Sequence, residues 1–199
     1  MPRIKFLHTL GVLAATAGLL GGAVTATASA SPASPTTTRH ADFTAQTRAA
    51  HLTSDQASAL QGKVDRYLKT MGGSQVSANE IDFKGGKLTV ALPGEAHPRD
   101  FTSGAGSLAA TDHCAHYYNA NGYFCAYEGS NFTGDELQWR ACGVVKDINF
   151  HHGGSWRNNQ TRDQVATMYD KDWNVLKSSL APEKDANGDW YHVWHMQLC

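Results

Sequence analysis

The chain has 199 residues, with 17 Lys plus Arg against 18 Asp plus Glu and a formal net charge of −1. Charges that nearly cancel exclude an overall field drawing the protein to nucleic acid or anionic lipid, so partners must be recognised by shape and local contacts. After the first thirty residues no segment is long and apolar enough to span a membrane.

Residues 1–30 read as a secretory signal peptide of bacterial style. Arg3 and Lys5 precede an apolar run from Leu10 to Val24, and Ala28-Ser29-Ala30 supplies a small-residue cleavage site. Export and a mature start at Ser31 are expected, with no membrane contact after cleavage. Residues 31–51, rich in Ser, Thr, Ala and Pro, have the composition of a flexible leader without fixed structure.

Residues 52–93 change pattern. Thr53 and Gln56 can form a capping box, and Ala57, Leu60, Val64, Tyr67, Leu68 and Met71 recur at three- and four-residue steps, which predicts an amphipathic helix stopped at Gly72-Gly73. Asn79, Ile81 and Phe83 then alternate with polar positions, Gly85-Gly86 supplies a turn, and Leu88, Val90 and Leu92 alternate again. A helix and hairpin of this size rarely support a core alone, so the segment must lean on something else. Residues 94–112, mostly Gly, Ala, Ser, Thr and His, read as a linker at which a cut would separate two halves.

Residues 113–199 carry short aromatic runs punctuated by Gly and Asn, no helical period, and all four cysteines. They predict an all-β module with strands at Tyr123–Glu128, Glu136–Arg140, Val165–Tyr169, Val175–Leu180 and Trp190–Leu198. In the last of these, Trp190, Trp194, Met196 and Leu198 share a face with His192, and that face is assigned to the core. Cys114, Cys125, Cys142 and Cys199 form an even set, which in an exported chain predicts two disulfides. Spacing leaves three pairings open; Cys142 with Cys199 is favoured because it would tie down the last residue.

The run Tyr127-Glu128-Gly129-Ser130-Asn131-Phe132-Thr133-Gly134 is the most informative. An aromatic, four spacers, a second aromatic, one spacer and glycine describe a strand ending in a tight folded loop. Tyr127 can stack over the loop, Phe132 can pack beneath it, and Gly134 can take a left-handed turn that a side chain would strain. With Cys125-Ala126-Tyr127 opening the hairpin, Leu137-Gln138-Trp139 returning and Cys114 upstream, the module resembles the secreted peptidase inhibitors of the Streptomyces metalloproteinase inhibitor family. The resemblance is strongest over Cys114 to Cys142. It implies a βγ-crystallin-like Greek-key sandwich, a Cys114–Cys125 disulfide, a monomer, and inhibition of an extracellular protease, a metalloprotease by family. It also makes residues 52–93 similar to the leader segment placed ahead of such modules, for which it implies a pro-region role. Two departures stand out. Tyr169-Asp170-Lys171-Asp172-Trp173-Asn174-Val175 lacks the spacing and glycine of a second repeat. Cys142 and Cys199 are far apart in sequence, so the family's reactive loop does not carry over.

Inhibition requires a rigid convex loop rather than a catalytic group. Val144 and Val145, beside Cys142, form a candidate inhibitory loop, with ordinary strand residues as the competing assignment. Ser130, Ser155 and Ser178 have no glycine-framed elbow and no ordered His and Asp companions, which predicts a non-enzyme without a required cofactor. An alternative is a calcium-binding crystallin-type structural or cell-surface module, with Glu128, Asn158 and Asn159 as hard oxygen ligands. Arg162 and Asp163 stand where that motif expects hydroxyls. Zinc at His113, Cys114 and His116 or at His192, His195 and Cys199 is disfavoured, because exported cysteines pair and His192 and His195 would point to opposite faces of a strand. His151-His152 before Gly153-Gly154 reads as an exposed loop, and the sequons at Asn131 and Asn159 as accidental.

Overall fold

A computed structural model describes residues 43–101, 110–115 and 122–199. Residues 1–42, which hold the expected signal peptide and most of the expected leader, residues 102–109 of the expected linker, and residues 116–121 with the zinc candidate His116 lie outside the described residues. Among those described, no helix is long and apolar enough to cross a membrane.

Helix α1 covers residues 43–49, where a structureless leader was expected. So short a helix is not stable by itself. Tertiary contacts hold it: Phe43 is buried, and the Gln46 side chain accepts a hydrogen bond from the Ala78 amide at 2.7 Å. Helix α2, Ser54–Met71, begins with the expected capping box. The Gln56 amide donates to Thr53 Oγ1 and the Thr53 amide donates to Gln56 Oε1. It ends at Gly72, whose φ of 68° only glycine adopts readily. Leu60, Val64 and Tyr67 form its buried face.

Strands β1 (Ser74–Gln75), β2 (Glu80–Phe83) and β3 (Gly86–Thr89) follow. The β2–β3 turn is Lys84-Gly85, one residue earlier than the two glycines suggest. Next come β4 (Tyr123–Gly129), a single 3-10 turn at Ser130–Phe132, β5 (Thr133–Trp139), β6 (Val145–Asp147) and β7 (Gly153–Asn159). The chain closes with β8 (Val165–Tyr169), β9 (Val175–Leu180), β10 (Glu183–Asp189) and β11 (His195–Leu198).

These strands form two antiparallel sheets, ordered β1-β2-β3-β5-β4-β7-β10 and β6-β11-β8-β9. One hydrophobic cluster joins them. It takes Leu60 and Val64 from α2, Ile81 and Leu88 from the hairpin, Phe124, Leu137, Trp139 and Trp156 from the large sheet, and Met168, Met196 and Leu198 from the small one. Phe124 stacks on Trp156 at 5.8 Å and tilts against Trp139 at 5.2 Å.

The expected division into two halves therefore does not hold. Strand β3 pairs with β5, so the early hairpin extends the same sheet as the aromatic hairpin. The described residues of the segment between them are stitched down as well: the Gly134 amide donates to Ala96 O, Asn79 Nδ2 to Arg99 O, and Tyr127 Oη to Asp112 Oδ1. A short hairpin with an apolar face gains more by covering β5 than by standing alone.

The strand expected at Trp190–Leu198 is broken. Residues 190–194 make a turn, with the Val193 amide donating to Trp190 O at 3.1 Å, and only His195–Leu198 is extended. The period of two is lost there, so Trp190, Val193, Met196 and Leu198 are buried while His192 and Trp194 are exposed. Gly153 and Gly154 begin β7, just after His151 and His152, which are exposed and outside any strand. A Cβ at Gly154 would lie 2.4 Å from the Trp190 indole, whose Nε1 donates to Tyr127 O at 2.8 Å.

Candidate binding face and its supports

The Tyr127–Phe132 clasp forms. The rings meet edge to face at 5.6 Å, a bulge interrupts the β4–β5 register between Tyr127 and Gly129, and Gly134 has φ of 85°. A Cβ on Gly134 would lie 3.1 Å from both Glu128 Cβ and the Gly129 nitrogen. Arg157 reinforces the clasp. Its guanidinium lies 3.6 Å from the centre of the Phe132 ring and pairs with Asp112 at 3.2 Å. Burial, followed by the nearby Glu136 and Asp112 carboxylates, raises the Tyr127 phenol and keeps it neutral.

Beside the clasp is a polar knot that sequence reasoning missed. Asp135 is fully buried on β5. Its Oδ1 accepts from Lys63 Nζ at 2.8 Å and from the Ala91 amide at 2.9 Å, and its Oδ2 accepts from Tyr67 Oη at 2.7 Å. Lys63 also reaches Glu128 Oε2 at 2.8 Å. Burial acts to lower the Lys63 ammonium, but the two carboxylates outweigh it and hold its pKa above the ordinary lysine value. Glu128 is lowered, its burial overcome by Lys63. The knot ties α2 and the end of the early hairpin to the aromatic hairpin.

The paired disulfides are Cys114–Cys125 and Cys142–Cys199. Among the described residues the one grouping of three metal-donor side chains is Cys114, Cys125 and Glu136, and its sulfurs are bonded to each other. The zinc reading loses its thiolates for the same reason.

Glu128, Asn158 and Asn159 are not brought together. On paired strands Asn158 faces Phe124, which leaves Glu128 about 13 Å farther along at the usual rise per residue. Both amides are engaged: Asn158 Nδ2 donates to Ser179 O at 2.8 Å and Asn159 Nδ2 to Cys114 O at 3.0 Å. The pair ends β7 and pins it to β9 and to the Cys114 segment.

His113 sits against buried Glu136, its Nδ1 3.3 Å from Oε2. That hydrogen bond, opposed by burial, raises the imidazole above the ordinary value of 6.5. The folded state holds this proton more tightly than the unfolded chain does. Its stabilising contribution is thus complete below the unfolded pKa and lost as pH rises through the higher folded one. Melting curves from about pH 6 to 8 are expected to show a falling limb that His113→Gln flattens; superimposable limbs would remove His113 as its source.

The outward face of the four-stranded sheet is the candidate binding surface. Alternation on β6 puts Val145 and Asp147 outward, while Lys146 turns in over the Phe83 ring at 3.7 Å. Through the β6–β11–β8 register the outward set continues with Gln197, His195, Thr167 and Tyr169, and Met196, Leu198, Ala166 and Met168 point to the core. Val145, Val175 and Leu180 are 40%, 60% and 54% exposed. The expected loop thus divides. Val145 reaches the face, whereas Val144 is half-buried behind a turn tied by the Gly143 amide to Leu198 O and by the Cys142–Cys199 bridge.

Trp173, which sequence reasoning treated as part of a degenerate repeat, lies over the same face. It stacks on His195 at 4.2 Å with an interplanar angle of 11°, and His195 Nδ1 is held by Asp147 at 2.7 Å. The signal was present as Asp170-Lys171-Asp172-Trp173-Asn174 between two strand candidates, an Asp-led turn holding a large aromatic where a polar residue is usual.

Comparison with known protein families, curated proteins and solved structures gives no match to this chain.

Proposed function

We propose that this chain is a secreted, non-catalytic peptidase inhibitor with a βγ-crystallin-like Greek-key body, and that it binds an extracellular protease, a metalloprotease by family resemblance. The observation that carries the reading is the open outward face of the small sheet, where the exposed Val145, Val175 and Leu180 flank a polar centre, with Val145 on edge strand β6 and the Cys142–Cys199 bridge pinning its approach. A protein-binding surface gains from being ordered before it docks, because little conformational entropy is then lost. An edge strand also offers backbone groups that can align with an extended segment of a partner. The Tyr127–Phe132 clasp supports the crystallin-like part of the reading, and the polar knot supports keeping residues 52–93 in the working protein.

Titration of the full mature chain against thermolysin and subtilisin is the test. Saturable inhibition of thermolysin at micromolar inhibitor is expected; activity of both proteases unchanged at micromolar excess would dismiss the reading.

A further inference from the structure

We infer that Trp173 is the anchor residue of this surface, inserting its indole into an apolar pocket of the protease whose lip carries Lys or Arg. The inference rests on the inhibitor reading and specifies the contact within it.

Trp173 is 52% exposed, yet it is fixed in place. Its φ is 66°, a left-handed conformation that bulky side chains rarely adopt. Residues held in such conformations need surroundings that over-determine them, and they gather at functional sites. Here the surroundings are explicit. Asp170 Oδ1 accepts from the Asp172 and Asn174 amides at 2.8 Å, its Oδ2 accepts from Asn174 Nδ2 at 2.9 Å, and the Trp173 amide donates to Asp170 O at 3.2 Å. One indole face is stacked on His195, and Tyr169 flanks it at 5.7 Å. An exposed tryptophan whose rotamer is already set loses little entropy on burial, which is the property of an interface hot spot.

The neighbours choose the occupant. Val175, which is 60% exposed and pairs with the Tyr169 that flanks the indole, offers aliphatic surface, which matches apolar protein side chains and has little to contribute against the hydroxyl-rich edges of a sugar. The acidic groups beside the indole, Asp147 on His195 and Asp170 and Asp172 in the Trp173 turn, outnumber the one lysine of that turn, Lys171, so the complementary lip is cationic.

The test uses the full mature chain and W173A, W173F and V145D variants, titrated against thermolysin and subtilisin at low and moderate salt, with melting curves run in parallel. W173A is expected to weaken inhibition about 30-fold or more while its melting midpoint stays near wild type, with W173F recovering part of the loss. Association is expected to slow as salt rises. If the wild type inhibits and W173A stays within about threefold of it, the anchor assignment falls while the inhibitor reading stands. A wild type that inhibits neither protease removes both. Retention on cellulose or chitin beads that W173A abolishes would make a glycan the occupant and overturn insertion into a protein.

Discussion

Gly134→Val is expected to lower the unfolding free energy by about 3 kcal/mol, read from the shift in urea midpoint at unchanged slope. Two costs add. A β-branched residue is forced to φ of 85°, and its Cβ arrives 3.1 Å from both Glu128 Cβ and the Gly129 nitrogen. Neither neighbour can retreat freely. Glu128 is held by Lys63, and Gly129 is followed by the turn that carries Phe132 under Tyr127. Gly134→Ala meets the same contacts without branching and should cost about half as much. A valine variant within about 0.5 kcal/mol of wild type would mean that the clasp does not need its glycine.

Asp135→Ala is expected to cost a similar amount, about 3 kcal/mol, because it leaves three donors behind: the Lys63 ammonium, the Tyr67 hydroxyl and the Ala91 amide. The Lys63 side chain keeps 23% of its surface in water and retains Glu128, which places the cost at the lower end for a broken buried ion pair. Location makes this loss distinctive. The donors come from α2 and from the residue two past β3, so hydrogen exchange should accelerate in α2, β2 and β3 more than in β8 and β9. Equal acceleration in both sheets would show that the knot does not govern how the early segment is attached.

Local features were legible because local physics sets them. The capping box, the buried stripe of α2, the Tyr127–Phe132 clasp and the left-handed Gly134 each involve residues within about one turn or one hairpin of each other. Strands β8 and β9 have the bounds expected from their short runs between turn residues, and the large sheet was only partly legible. Strand β10 reads Glu-Lys-Asp-Ala-Asn-Gly-Asp, which as sequence resembles a turn, and it is extended because β7 supplies its partner. Strand β7 opens with two glycines and closes with two asparagines for a related reason: the Trp190 indole needs the space at Gly154, and Ser179 and Cys114 offer carbonyls to the amides.

The candidate binding face was half visible. Val145 was found from its place beside a cysteine, and Trp173 was not, because the side of a strand on which a turn residue lands depends on register. The β8–β9 pairing contains a shift between Met168 and Tyr169, just before that turn.

The amino-acid order alone determined the helix and its ends, the aromatic clasp, and an all-β body with an even cysteine set, since propensity, periodicity and steric demand act over a few residues. Only the tertiary structure decided that the early hairpin completes the large sheet, that Asp135 is the buried acceptor holding it there, and that Trp173 lies over His195 on an open face. Those outcomes turn on which distant groups arrive to satisfy a buried charge or cover a sheet edge, and they become defined when the layers pack.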